Sequence, residues 1–278
     1  AANDLLFYII TPCVIINSFL TTEFSPETSK GFLLAALGGA VTHLLGIVLA
    51  EPFFRKKENN NNAVFKFACV YGNMGYMGIP LSQAVMQMVT GNGEIGVFYC
   101  SAAMVAFNVF SFTHGVMLMS GSNEKFNFKK LIFNPGVIGI LLGAPIFLLG
   151  INLPEIIKTP ITHLGNMNTP LAMVLFGTYL SKSDFKTMFK QVNIYVTAIL
   201  KLVVLPLAAI FGFYLFGIRG NLLIVASVFV SAPTATNTSM FAAKFGKDTG
   251  LASQTTGLVS ILAIATMPLC VALAMMIA

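Results

Sequence analysis

Charge is what this sequence has least of. Only 9% of its residues are charged, against about 25% in an ordinary soluble domain. Tryptophan is absent, and the ten acidic residues avoid the middles of the apolar runs. Asp4 and Glu51 stand at run ends and the other eight acids fall in loops. A sodium/proton antiporter would place carboxylates at membrane depth as proton and cation ligands, and that class is disfavoured. The four cysteines, Cys13, Cys69, Cys100 and Cys270, lie singly in apolar runs without metal-ligand spacing. They read as small core residues. No nucleophile–base pair, phosphate loop or metal cluster is visible, so no enzyme, cofactor or metal is expected. No signal peptide is visible in the sequence. The chain starts without methionine, and residues are expected to be missing ahead of Ala1.

What is present is hydrophobic: 56% of the residues. This composition is that of an all-α polytopic membrane protein. Nine apolar spans are marked, at 4–20, 31–53, 63–90, 95–119, 135–150, 164–181, 191–216, 221–244 and 250–277. Asn134-Pro135 reads as a helix start. The stretch Ile151–His163, with Pro154 and Pro160, reads as a loop with at most a short interfacial turn.

The net charge of +6 does not call for nucleic acid, because the basic residues are spread through loops between spans. On the side where the first span starts, the loops carry Arg55, Lys56 and Lys57, then Lys125, Lys129 and Lys130, then Lys182, Lys186 and Lys190, then Lys244 and Lys247. The opposite side carries only Lys30, Lys158 and Arg219. By the positive-inside rule the first side is cytoplasmic and the carboxy terminus lies outside the cell membrane.

Two spans are interrupted. Tyr71-Gly72-Asn73-Met74-Gly75-Tyr76-Met77-Gly78-Ile79-Pro80 breaks the third, and Ser231-Ala232-Pro233-Thr234-Ala235-Thr236-Asn237 breaks the eighth. Glycine and proline disrupt the helical hydrogen-bond ladder. Unwound backbone survives at membrane depth only when packed in protein or lining a cavity. Paired interruptions in two halves mark a secondary transporter with a midplane site. The competing reading is two kinked helices that only pack.

The halves also repeat. Ile10-Thr11-Pro12 opens a pattern that recurs from Asn168-Thr169-Pro170, each followed by an apolar, an interrupted and another apolar span. A five-span unit used twice in opposite topology would give ten spans, so one amino-terminal span is expected to be missing. The division is residues 1–119 as the first inverted repeat, 120–134 as a cytoplasmic linker and 135–278 as the second repeat.

The segments YGNMGYMGIPL and SAPTATNTSMFAAKFG resemble the auxin efflux carrier family, as do LLFYIITPCVIINSF, VAFNVF and ASQTTGLVSILAIATMPL. The resemblance covers nearly the whole chain. It implies two inverted five-helix repeats with crossed, broken helices, carriage of small organic anions, and a homodimer through the helices at 4–20 and 164–181. It maps Asn73 and Asn237 onto the two crossovers and faces Asn108 toward the site.

Amides suit a carboxylate, since each has donors for it and an acceptor for a hydroxyl. Half-helix amino termini add free N–H groups and partial positive charge. Gly72 and Gly75 would allow close approach, Pro80 and Pro233 would hold the breaks open, and Thr236 stands beside Asn237. The asparagines could instead only satisfy freed backbone groups, and Asn108 could make an interhelical hydrogen bond. Lys201 lies ten residues into its span, roughly 15 Å deep in a core about 30 Å thick. It would neutralise substrate charge or pair with the carbonyl end of a broken helix. Asn17, Ser18 and Thr178 are weaker wall candidates. His43 and His114 read as packing residues or as titrating groups. The leading expectation is an alternating-access carrier of small organic anions. The alternatives are a sodium-coupled organic-anion symporter of bile-acid type and a non-transporting membrane sensor.

Overall fold

A computed structural model of the chain describes residues 2–22, 24–54, 61–121, 133, 135–168, 170, 171, 174, 178 and 189–278. Among the described residues the secondary structure is helical, with no strand beyond one isolated two-residue bridge. Helix α1 runs through Ala2–Leu5, Leu6–Ile10 and Thr11–Thr21. Helix α2 is Pro26–Ala50. The third helix is in two pieces, α3a at Asn62–Val70 and α3b at Met74–Gly78 continuing into Ile79–Thr90. There follow α4 (Gly93–Ser120), α5 (Pro135–Leu149), α6 (Glu155–Asn166) and α7 (Val192–Leu215). The eighth is again split, α8a at Gly220–Ser231 and α8b at Asn237–Lys244, before α9 at Thr249–Ile277. Helices α2, α4, α7 and α9 are each long and apolar enough to cross a membrane. The spans expected at 63–90 and 221–244 do not form single long helices, because each contains its break.

Two expectations need correction. Ile151–His163 is not a loop: α6 begins at Glu155, with Pro154 just ahead of it and Pro160 inside. Glu155 and Lys158 support the first turn, and the missing N–H of Pro160 falls on a largely exposed helix, where water or headgroups can take the freed carbonyl. Half of the span expected at 164–181 lies outside the described residues, as do the linker lysines and Lys182 and Lys186. Glu94 is not a loop residue but sits in the first turn of α4, half-buried. Its carboxylate accepts from Gln83 Nε2 at 2.8 Å and Asn17 Nδ2 at 3.2 Å, and Asn17 Oδ1 accepts from Thr162 at 2.7 Å.

Helix α2 shows why a membrane helix packs with its small side inward. Leu33, Leu37, Val41, Leu44 and Val48 follow one stripe and are exposed. Gly31, Ala35, Gly38, Gly39, Gly46 and His43 are buried on the other face. Large side chains gain nothing by leaving lipid for protein, whereas small ones let helices approach closely. A Cβ on Gly39 would stand 2.8 Å from the carbonyl oxygen of Ala103 in α4. Ser25 starts α2 about one and a half turns earlier than hydropathy suggests, through a capping box with Thr28.

Four helices contain a widened π turn, at Leu6–Ile10, Met74–Gly78, Ser111–Gly115 and Leu200–Val204, and all but the Ser111–Gly115 turn are followed two residues later by proline: Pro12, Pro80 and Pro206. Proline has no N–H to give and its ring presses on the carbonyl four residues back. A π turn makes that room without ending the helix. Pro80 therefore lies inside a continuing helix, not in the break, which is confined to Tyr71–Asn73.

The helices pack as two groups. Helix α1 packs with α5 and α6, through Gly139 against Pro12 and Gly165 against Val14. Helices α2, α3, α4, α7, α8 and α9 form the larger group. The groups meet mainly at α4, where Phe98 stacks edge-on with Phe19 at 5.1 Å and lies at 5.1 Å from Phe147.

Candidate functional site

The two breaks meet. Gly72 and Thr234 form an antiparallel bridge. Asn73 N–H donates to the Pro233 carbonyl at 2.7 Å, and Ala235 N–H donates to the Tyr71 carbonyl at 2.9 Å. The Thr234 hydroxyl donates to the Ala68 carbonyl, also at 2.9 Å. A buried backbone group left unpaired costs free energy comparable to a lost hydrogen bond. Each break thus satisfies groups that the other sets free, and neither would be tolerable alone. Gly72 is required by proximity: a Cβ there would stand 3.0 Å from Lys201 Nζ and 3.1 Å from the Ala232 carbonyl oxygen.

Beside the crossing lies a cavity lined by Gly72, Asn73, Met74, Gly75 and Tyr76 from the first break, and by Ala235, Thr236 and Asn237 from the second. Met104, Phe107 and Asn108 come from α4, Thr11 from α1 and Gly136 from α5. The space open to water centres is about 40 Å³, room for about three waters. Of the residues singled out from sequence, Gly72, Asn73, Gly75, Asn108, Thr236 and Asn237 are thereby brought together. Pro80, Pro233 and Lys201 do not line this cavity. Pro80 is displaced into α3b, and Pro233 has its carbonyl taken by Asn73. Lys201 is only 1% exposed and sets its ammonium against Gly72, itself a lining residue.

The amides are not fully used by the protein. Asn73 Oδ1 accepts from Tyr76 N–H at 3.3 Å and caps α3b, while its backbone carbonyl accepts from Met77 and Gly78. No hydrogen bond from its Nδ2 is formed among the described residues. Asn237 opens α8b, its side chain likewise unengaged among them. Asn108 is 3% exposed and its Nδ2 is buried without a partner. An unpaired buried donor costs about 1–3 kcal/mol. Three amides from three helix segments thus converge on one cavity with donors to spare.

The weaker candidates go elsewhere. Asn17 is held by Glu94 and Thr162, Ser18 donates to its own helix at Ile15, and Thr178 is exposed. His43 is fully buried, with Nδ1 at 2.6 Å from the Gly39 carbonyl, and its ring lies on Phe110 and Tyr71. The Tyr71 hydroxyl lies 2.9 Å from His114 Nδ1 and donates to the Phe110 carbonyl at 2.8 Å. Both histidines therefore flank the first break from behind. Met104 could have been found, because it stands one turn from Asn108 on the same helix face. Thr11 carried a signal in its repeated Thr-Pro step. Nothing local marks Gly136.

An all-helical apolar chain whose interrupted helices cross over an amide-lined cavity is a membrane transport protein. Residues 1–130 and 125–271 match the family described as membrane transport protein, and the chain belongs to that auxin-efflux-carrier-like family. It is also 23% identical over 275 residues to a putative malonate transporter of Rhizobium meliloti (strain 1021), covering 95% of this chain and 83% of the relative.

Proposed function

We propose that the chain is a secondary carrier of small organic anions that binds a carboxylate at the crossover. The observation that carries this is that the Asn73, Asn108 and Asn237 amides all line one small cavity, and that Asn108 Nδ2 is buried without a partner. Donors without acceptors suit an anion. The amino terminus of α3b, with its partial positive charge, opens on the same space. No acidic side chain lines it, which disfavours a cationic cargo. The relative's printed cargo, a short dicarboxylate, agrees in size and charge with such a cavity.

The cavity lies between the two helix groups: Thr11 and Gly136 belong to one, the broken helices and α4 to the other. A displacement of one group against the other would open it to either side, which is alternating access. Two inverted repeats, with the first at 1–119 and the second at 135–278, explain why both breaks reach one depth. An exposed apolar face on α1, including Tyr8 and Ile9, supports a homodimer through that helix and the segment 164–181.

The direct test is a thermal-shift series on the purified protein with mono- and dicarboxylates. A ligand of the native state at 100 times its Kd stabilises by about 2.7 kcal/mol, so malonate or a close analogue should raise Tm by several degrees. No response to any carboxylate, with a response to organic cations, would overturn the reading.

Orientation has its own test. In a background lacking the four native cysteines, Ala278→Cys should react with an impermeant thiol reagent added outside intact cells, and Lys186→Cys should not. The reverse pattern would refute a cytoplasmic basic side and an external carboxy terminus.

A further inference from the structure

Three glycines stand at a spacing of three around the first break: Gly72, Gly75 and Gly78. Two of them are packed against neighbours. A Cβ on Gly72 would press on Lys201 Nζ and the Ala232 carbonyl oxygen, and a Cβ on Gly78 would touch Cys100 Sγ of α4 at 3.4 Å. Gly75 differs. Beyond its own helix, a Cβ there would meet a single atom within 4 Å among the described residues, Met104 Sδ at 3.8 Å. Its φ is not in the positive region, so no left-handed turn requires glycine either. Glycine weakens a helix relative to alanine. Neither packing nor backbone conformation accounts for it at this place.

Gly75 and Met104 both line the crossover cavity. The side chain that Gly75 lacks would therefore stand in the open space between α3b and α4. That space has room for about three waters, so a single methyl group would take a large share of it. The Gly75 N–H lies in the first turn of α3b and makes no hydrogen bond among the described residues. Without a Cβ in the way, a ligand can come directly against this backbone. Asn108 lines the same space, 3% exposed and with its Nδ2 unpartnered. Met104 stands one turn before it on α4 and forms the facing wall. Methionine is unbranched and soft, and it adjusts to what it packs against.

We propose that Gly75 and Met104 set the length of carboxylate that the crossover accepts, Gly75 by leaving room where a side chain would stand and Met104 as the wall opposite. The proposal rests on the crossover being the site for organic anions. The amides and the amino terminus of α3b recognise a carboxylate, which every short organic acid carries. The gap between Gly75 and Met104 measures what is attached to it. One methylene too many or too few in such a fit changes affinity by about 10- to 200-fold.

The test is a calorimetric titration of the purified full chain with oxalate, malonate, succinate and glutarate, which share their charge and differ in length. Wild type should prefer malonate to glutarate by about tenfold or more. Gly75→Ala should melt at or above the wild-type temperature without ligand, because its methyl meets nothing closer than Met104 Sδ. It should nonetheless lose malonate by about 10- to 200-fold, with oxalate the least affected. Met104→Ala should move the preference toward succinate and glutarate, and Met104→Val serves if that variant does not fold. Joining Gly75→Ala to the Met104 change should restore malonate binding. A Gly75→Ala variant that melts several degrees low, or that weakens all four acids equally, overturns the proposal. A wild type that binds the four acids, with an order that no variant moves, overturns the proposal alone. A wild type that binds none of them overturns the carrier reading and the proposal with it.

Discussion

Asn73→Ala, Asn108→Ala and Asn237→Ala should each weaken carboxylate binding by about 10- to 150-fold, and transport should fall with it. A hydrogen bond to a charged group contributes about 1.5–3 kcal/mol, and each 1.4 kcal/mol is a factor of ten. The three variants should differ in stability. Asn73 Oδ1 caps α3b at Tyr76 N–H, so its loss should also cost about 1 kcal/mol of fold. The Asn237 side chain makes no bond among the described residues, and the Asn108 Nδ2 is already unpaired. Those two variants should fold as well as wild type.

Asn73→Asp separates cap from site. Aspartate caps a helix as well as asparagine does, so Tm without ligand should hold. The new negative charge would face an anionic cargo, so binding should fail. A carrier of cations would keep or gain activity in this variant. Binding by calorimetry and uptake into proteoliposomes, on protein checked by size exclusion, read the two outcomes apart. Wild-type carboxylate binding in both Asn73→Ala and Asn237→Ala would remove the crossover as the site.

Gly96→Ala should be among the most damaging single-methyl changes in the molecule. Its Cβ would stand 2.3 Å from the Ser82 carbonyl oxygen and 2.7 Å from the carbonyl carbon of the same residue. Backbone cannot rotate away as a side chain can, so α3b and α4 must separate. Overpacking of this kind typically costs about 1–3 kcal/mol. The two helices carry Asn73 and Asn108, so malonate binding should weaken together with Tm. Gly212→Ala on α7 is the control, since a Cβ there meets nothing within 4 Å. It should be neutral or gain up to about 1 kcal/mol from helix propensity. Equal losses in the two variants would show that the close approach at Gly96 does not limit stability.

Much of this was legible along the chain. A charged fraction of 9% and the long apolar runs determine a helical membrane protein, because hydrocarbon admits few other backbones. The glycine, proline and asparagine clusters determine where two helices cannot continue, and Asn73, Asn108 and Asn237 stand out as polar groups that lipid would not tolerate. These are local properties, set by each segment's own solvation and hydrogen bonding.

What tertiary structure alone decided is which groups satisfy one another. Periodicity says that Gly72 and Pro233 interrupt helices; it cannot say that Asn73 N–H finds the Pro233 carbonyl 160 residues away. Pro80 looked like part of a break and is not, because a π turn absorbs it. Glu94 looked like a loop acid and instead joins α4 to α1 through Asn17. Lys201 was marked by depth alone, and only the fold shows its ammonium against Gly72 at the ends of two helices. Each of these outcomes depends on a partner distant in sequence. Burial makes such partners obligatory, since a polar group without water must be met by another part of the chain.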